Sequence, residues 1–170
     1  PNLKTLGSAA FSGTEISSIK SLGTVTSMSG SWYSPNLTSI ELPENLEVLG
    51  GFGRWNINQE NLVYDVTNLP KSIRTLEQYA FGRCINVTGV IDLPNLEGNL
   101  SSAFNNTKIE RVENLGSITG LGDSGGGPSG SFAGCTQLVS CVLPETLTKI
   151  GRSSFQYCSA LESINLPDSL

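Results

Sequence analysis

The segment Leu147-Thr148-Lys149-Ile150-Gly151-Arg152-Ser153-Ser154-Phe155-Gln156-Tyr157-Cys158 decides the fold, because the chain repeats its pattern. Related phrases run from Leu76 to Tyr79-Ala80-Phe81-Gly82-Arg83-Cys84 and over Leu6-Gly7-Ser8-Ala9-Ala10-Phe11. A large aromatic closes each copy, and the gaps between successive aromatics are 21, 23, 26, 23, 28 and 23 residues. The seven aromatics are Phe11, Trp32, Trp55, Phe81, Phe104, Phe132 and Phe155. A period in this range predicts a solenoid, in which one supersecondary unit stacks on copies of itself.

Each repeat has two halves. The first half is Leu-x-x-Ile-x-Leu-Pro, as in 37–43 and 161–167, and its alternation of Ile40, Glu41 and Leu42 predicts a strand with one buried face. Pro43 ends this strand, because proline cannot donate to a ladder. The second half predicts a short extended piece, a bend at glycine, and a helical turn that carries the aromatic inward. The copies at 61–70 and 87–94 contain extra residues, which predict bulges in one continuous scaffold.

Composition limits the class of protein. A chain of 170 residues with 38% apolar and 15% charged residues fits one folded domain, 1–170, of about seven repeats. The net charge is −5 and the ten basic residues are scattered singly, which argues against nucleic-acid binding. No apolar stretch approaches the roughly 18 residues of a membrane span, so we expect no membrane insertion. Pro1 and Leu170 interrupt the repeat pattern, so we expect a fragment whose signal peptide and anchor lie elsewhere.

The repeated phrases resemble the BspA-like leucine-rich repeats. The resemblance rests on Leu-x-x-Ile-x-Leu-Pro followed by Leu-x-x-Ile-Gly-x-x-Ala-Phe-x-x-Cys, and it covers essentially the whole chain. Trp32 and Trp55 depart from the Ala-Phe pair, and Thr14 and Thr107 occupy the cysteine position. The resemblance implies a mainly β leucine-rich-repeat solenoid of the α/β-horseshoe type, with repeats of about 23 residues. A parallel sheet is expected on its concave face, and short turns or helical turns on its convex side.

The same resemblance implies a place and a role, because such repeats occur in surface and secreted proteins of oral and gut bacteria and of some protozoa. We therefore expect a bacterial protein at the cell surface or outside the cell. We expect a role in adhesion, through interaction with a host or surface protein or glycan. Fold alone does not fix function, so this step is an analogy.

One motif suggests catalysis. Gly122-Asp123-Ser124-Gly125-Gly126-Gly127-Pro128 resembles the nucleophile segment of chymotrypsin-like proteases, with one glycine too many. A serine nucleophile of that type needs a general base, usually histidine, and the chain contains no histidine. The segment also lies in the longest gap of the repeat array, where a glycine-rich loop is expected. We therefore predict a non-catalytic protein without a cofactor.

The four cysteines suggest neither a metal site nor catalysis. Cys84, Cys135 and Cys158 each follow a repeat aromatic by three residues, whereas Cys141 replaces the strand isoleucine. All four are expected to point inward as small hydrophobic side chains. The absence of histidine and of a Cys-x-x-Cys pair argues against metal. Buried free thiols are the favoured interpretation; a bridge between Cys135 and Cys158 is the alternative, although parallel stacked side chains suit a disulfide poorly.

The outward residues of the concave strands form the candidate binding surface. Those selected are Lys20, Glu41, Tyr64, Ile91, Arg111, Glu113, Val142 and Asn165. Trp32 and Trp55 are assigned to the core column. Two functions remain open: a binding module, expected to be a monomer, and a passive spacer that presents another domain. The sequence favours the binding module.

Overall fold

The computed structural model describes residues 2–31, 34–53, 57–122 and 130–170. It is a mainly β solenoid of about seven turns, as the repeat period predicts. Most repeats contribute two short strands, one from each half of the repeat, and the strands from the two halves line opposite faces of the coil. We call these faces the front face, from the first half, and the back face, from the second half.

All strand pairs in the described residues are parallel. The front face consists of β2 (Ser18–Ile19), β4 (Ser39–Ile40), β6 (Gln59–Asp65), β8 (Cys84–Asp92), β10 (Lys108–Asn114), β12 (Ser140–Cys141) and β14 (Ser163–Ile164). The back face consists of β1 (Thr5–Leu6), β3 (Ser27–Ser31), β5 (Val48–Gly51), β7 (Thr75–Leu76), β9 (Glu97–Leu100), β11 (Ser117–Leu121) and β13 (Lys149–Ile150). The neighbours in each face are therefore alternate strands of the chain, as a coil requires.

The core lies between the two faces and is built from columns of equivalent residues. On the front face the core residues Ile91, Val112 and Cys141 are aligned by the strand register, and Ile164 continues the column in the last repeat, where it is 36% exposed. On the back face the aligned residues are Leu6, Met28, Leu49 and Leu76. Alternation along each strand turns these side chains inward, and burial of each large aliphatic side chain stabilises the fold by roughly 1.5–3 kcal/mol.

The aromatics form a continuous stack of rings, as the spacing predicts. Phe81, Phe104, Phe132 and Phe155 follow one another with ring centroids 5.9, 5.8 and 5.5 Å apart. The ring that precedes Phe81 in the described stack is Phe52, at 5.7 Å, and it is buried. The aromatic spacing did not select Phe52. The predicted column members Trp32 and Trp55 lie outside the described residues.

The helical turn predicted to carry each aromatic is absent from the described repeats. The aromatics sit in consecutive tight turns, for example with Gln156 N donating to Ser153 O and Cys158 N to Phe155 O. Ser153 and Tyr157, two residues before and after Phe155, both adopt a left-handed conformation, with φ of 59° and 63°. A left-handed residue cannot continue a right-handed helix, so the backbone turns twice around the ring. The helix in the described residues is a 3-10 turn, Val66–Asn68, on which Asp65 accepts a hydrogen bond from Thr67 N at 2.9 Å.

The irregularity predicted for the copy at 61–70 is present, whereas the extra residues opposite the copy at 87–94 lie on β10. The register between β6 and β8 shifts between Gln59 and Val63, and the register between β10 and β8 shifts twice after Ile109. The extra residues are thus absorbed within parallel strands, without a change of fold. No helix among the described residues is long and apolar enough to cross a membrane.

Candidate functional site

The outward side chains of the front face are the predicted binding surface. Six of the eight selected residues are solvent-exposed there: Lys20, Glu41, Arg111, Glu113, Val142 and Asn165. Their exposure follows from strand alternation, because each is adjacent in sequence to a residue whose side chain turns towards the core. Exposure makes them available, and their role in binding stays a prediction.

The outward position predicted for Ile91 is wrong. Its side chain is completely buried, and its register partner Val112 is buried with it. From Val87 to Asp92 the side chains of β8 alternate regularly between buried and half-buried, and Ile91 belongs to the buried set with Val87 and Gly89. The side chains of a strand point alternately to opposite faces, so the inward position of Ile91 follows from this alternation. The residue aligned with outward Arg111 is therefore Val90, which is half-buried.

Tyr64 is also turned towards the core. Its ring stacks on Phe81, with centroids 5.5 Å apart and planes inclined by 22°. Its hydroxyl lies 3.4 Å from the carbonyl oxygen of Asn68. Burial, with a smaller contribution from the negative charge of Asp65, raises the pKa of Tyr64 to about 12. Tyr64 is thus half-buried and structural, and the outward residues of β6 are its neighbours Val63 and Asp65.

Four of the selected residues gather near the C-terminal end of the front face. Arg111 aligns with Ser140 and Ser163 on the next two strands. Glu113, Val142 and Asn165 follow the aligned residues Val112, Cys141 and Ile164 and form the adjacent row. Arg111 and Glu113 contact each other, with Nε and Oε1 3.7 Å apart. We call Arg111, Glu113, Val142 and Asn165 the front patch.

The members of the front patch differ in their freedom to bind. Val142 is 51% exposed. The Asn165 side chain is held by β12, because its Oδ1 accepts from Leu143 N at 2.7 Å and its Nδ2 donates to Leu143 O at 3.0 Å. Asn165 therefore stabilises the ladder, whereas Arg111, Glu113 and Val142 present their side chains to solvent.

Lys20 and Glu41 lie apart from the front patch. They directly follow Ile19 and Ile40, which pair between β2 and β4, and Glu41 N donates to Ile19 O at 3.0 Å. With β6 and β8 between them and β10, the two groups are separated by roughly 14 Å, three strand spacings of about 4.8 Å. The selected residues therefore form two groups on one face.

The front face contains exposed residues that the sequence analysis did not select. Val63 is 66% exposed and aligns with Asn86 on the next strand. Lys108 Nζ donates to Asn86 Oδ1 at 3.0 Å, which extends this row to β10. The sequence does indicate that Val63 faces outward, because Val63 directly follows the inward-facing Leu62. The extra residue in this repeat obscured the alternation of inward and outward side chains.

The protease-like motif does not bear on the described structure, since Ser124 lies outside the described residues. The cysteines are free thiols, with Cys84, Cys135 and Cys141 buried and Cys158 half-buried. Burial raises the pKa of all four thiols, to about 12 for Cys135 and for Cys141. Protonated, buried thiols are poor nucleophiles and poor metal ligands. The described residues contain no group of three or more Cys, Asp or Glu side chains that could hold a metal ion.

Comparisons with known proteins agree with the geometry. The family model described as BspA type leucine rich repeat region (6 copies) matches residues 1–64 and 58–170. A crystal structure of a leucine-rich repeat protein from Bacteroides ovatus ATCC 8483 is similar, with a TM-score of 0.58 and 20% sequence identity. That likeness covers 97% of this chain and 52% of the other, so the chain spans about half the length of that protein. A search of curated proteins finds no match. With the repeat, the parallel coil and the family match in agreement, the chain belongs to the BspA-type leucine-rich-repeat family.

Proposed function

We propose that this protein is a non-catalytic binding scaffold, at the cell surface or secreted, and that it binds a host or surface protein or glycan through the front patch. The observation that carries the proposal is the position of Arg111 and Glu113 on β10 beside Val142, which directly follows the parallel strand β12. A rigid sheet holds these charged and apolar side chains in fixed positions, which reduces the conformational entropy lost on binding.

Family membership supports the general role. Leucine-rich-repeat solenoids typically act as protein-interaction scaffolds, and BspA-type members are generally bacterial surface or secreted proteins. The solenoid presents an extended surface, since each repeat adds one row of outward side chains. Adhesion to a host is the specific role we propose.

The front patch combines features of a protein- or glycan-binding surface. Arginine is enriched at the centres of interfaces, because its guanidinium makes several directed hydrogen bonds. Val142 adds exposed apolar area beside it. The ion pair between Arg111 and Glu113 is long, at 3.7 Å, and both side chains are at least half exposed. Exposed pairs contribute little to stability, so both groups can exchange this contact for a partner.

A binding screen with matched variants tests the proposal. The protein is assayed against extracellular-matrix proteins, mucins and a glycan array. The test variant is Arg111→Glu with Val142→Glu, and the control is Arg74→Glu on the back face. Arg74 is a matched control because its side chain is 56% exposed, against 50% for Arg111, and it also pairs with a glutamate.

The expected result is saturable binding that the double variant loses and the Arg74 variant keeps. Equal binding by the unchanged protein, the double variant and the Arg74 variant would show that the front patch is not the binding site. No binding by a protein shown to be folded would favour the alternative, a spacer that presents another domain.

A further inference from the structure

A groove of about 430 Å³ crosses the aromatic turns, away from the front face. Its lining includes Arg83, Asn105, Asn106, Gly134, Arg152 and Tyr157. Arg83, Asn106, Gly134 and Tyr157 are equivalent positions, each two residues after a stacked phenylalanine. Gly134 is the one without a side chain, so the row is interrupted between Asn106 and Tyr157. The groove opens at this interruption.

The groove carries uncompensated positive charge. Its described lining contains Arg83 and Arg152 and no acidic residue, although the protein as a whole has a net charge of −5. Arg152 is exposed and makes no hydrogen bond or ion pair with any described residue. Arg83 donates to a neutral group, Asn58 Oδ1, at 3.2 Å. Lys71 and Arg74, by contrast, each lie 2.8 Å from a carboxylate oxygen.

The floor of the groove contains polar atoms that lack partners. Asn105 is 1% exposed, and its Oδ1 is buried without a hydrogen bond. Arg83 Nε is buried in the same condition. Unsatisfied buried groups destabilise a fold and are uncommon, so two of them beside one groove call for a reason. Both atoms are covered by the side chains around them, and a polar ligand that displaces those side chains supplies the missing partners: a hydroxyl group can donate to Asn105 Oδ1, and a carboxylate or hydroxyl oxygen can accept from Arg83 Nε.

An exposed aromatic ring borders the same groove. Tyr157 is 75% exposed, unlike the other aromatics of the repeat. An aromatic side chain with one face in solvent offers apolar area and a hydroxyl at low entropic cost to a ligand. Together with the amides of Asn105 and Asn106, it makes the lining suited to a ligand that has both an apolar face and several hydroxyl groups.

We propose that this groove binds a carboxylate-bearing sugar residue of an acidic glycan. The exposed Arg152 guanidinium binds the carboxylate by charge-assisted hydrogen bonds, and the amides bind hydroxyl groups. The Tyr157 ring packs against the sugar ring. The volume lies within the range of small-ligand sites. An acidic peptide fits less well, because extended peptides pair with a sheet edge and this groove is walled by turns. The site is separate from the front patch, so the proposal stands or fails independently of the function proposed above.

Calorimetric titration with an oligogalacturonide, and with a neutral galactan oligosaccharide of the same length, tests the proposal. The variants are Arg152→Gln, which removes one exposed charge, and Tyr157→Asn, because asparagine tolerates the left-handed conformation with φ of 63°. Arg111→Gln, which removes the same charge from the front face, is the matched control. Thermal unfolding of each variant verifies that it is folded.

The expected result is saturable binding of the acidic oligosaccharide and none of the neutral one. Arg152→Gln and Tyr157→Asn each weaken binding by roughly tenfold or more, as loss of one charged or one ring contact does. Arg111→Gln leaves it unchanged. The proposal is overturned if the folded protein binds no acidic sugar, or if Arg152→Gln has no effect. Equal binding of hexaglutamate, lost in Arg152→Gln but kept in Tyr157→Asn, overturns the sugar assignment and identifies a general carboxylate site.

Discussion

The thiol of Cys135 donates a hydrogen bond to the carbonyl oxygen of Phe104, which lies 31 residues earlier in the chain, across 3.1 Å. Cys158 repeats the relationship with Phe132, also at 3.1 Å. Thr107 occupies the equivalent position in its repeat, and its hydroxyl donates to the same Phe104 oxygen at 2.7 Å. At the position three residues after the aromatic, Thr14 and Thr107 thus donate to the aromatic of their own repeat, and Cys135 and Cys158 to that of the preceding repeat. Cysteine and threonine can replace each other there because both are small and both carry a donor.

Substitution of Thr107 by valine should destabilise the protein. Valine keeps the volume but removes the donor to Phe104, and the loss of a buried hydrogen bond costs about 1 kcal/mol. Thr119→Val is the matched control, because the exposed Thr119 hydroxyl donates to Gly98 O at 3.2 Å. Urea denaturation measures the free energy of unfolding of both variants. Equal effects of the two variants would contradict a structural role for the donor at position 107.

Stability should fall in alkaline solution between about pH 9 and pH 12. The pKa of Cys135 rises from 9.0 to about 12, that of Cys141 rises equally, and that of Tyr64 rises from 10.0 to about 12, mainly through burial. In the unfolded chain these groups lose their protons near their ordinary pKa values, while the folded protein retains them. Unfolding therefore releases protons, and the stability present below pH 9 is lost as pH rises towards 12.

Urea midpoints at pH 7, 9 and 10.5 measure this effect. Cys135→Thr is the control, since threonine has no titratable group and occupies the equivalent position at 107. Its alkaline loss of stability should be smaller than that of the unchanged protein. A pH-independent midpoint across the range would show that the thiols and Tyr64 are not protected from titration.

Removal of a ring from the aromatic stack should depend on its place in the coil. Phe81 is completely buried and contacts three rings, those of Phe52, Tyr64 and Phe104. Phe81→Ala should cost roughly 3–5 kcal/mol, as truncation of a buried phenylalanine usually does. Phe155 is half-buried and stacks on Phe132, so Phe155→Ala should cost less. Denaturant titration compares the free energies of unfolding of the two variants. A larger loss of stability for Phe155→Ala than for Phe81→Ala would be inconsistent with this stack.

Gly116 should resist substitution because of close backbone packing. It is left-handed, with φ of 61°, and an added Cβ would lie 2.6 Å from the backbone nitrogen of Leu96. Gly116→Ala should therefore cost about 1–3 kcal/mol for overlap in addition to about 1 kcal/mol for the left-handed conformation. Gly13→Ala is the control, because Gly13 has φ of 73° and open space around it. The midpoint of thermal or urea unfolding should be much lower for Gly116→Ala than for Gly13→Ala. Similar midpoints for the two variants would show that backbone overlap does not limit substitution at Gly116.

The repeat period and the strand alternation could be predicted because they depend on local sequence. Leu37, Ile40 and their equivalents turn inward because the side chains of a strand point alternately to its two faces. The column of rings followed from the spacing of Phe81, Phe104, Phe132 and Phe155. The irregularity in β6 followed from residue counting. The back-face strands and the tight turns were less evident, since two to five extended residues and a left-handed turn have no distinctive periodicity.

The candidate site was harder to predict, because the face of a strand depends on register. Ile91 falls in the buried set of β8, opposite the buried Val112, and the longer repeat at 59–65 turns Tyr64 against Phe81. In the groove, Arg83 and Arg152 are 69 residues apart in the chain and come to one site through the stacking of repeats. The sequence by itself determined the coil, its period and its apolar core, because these require only the local alternation of each repeat. Only the tertiary structure decided which side chains face solvent and which distant ones meet, because bulges set the register and stacking sets the neighbours.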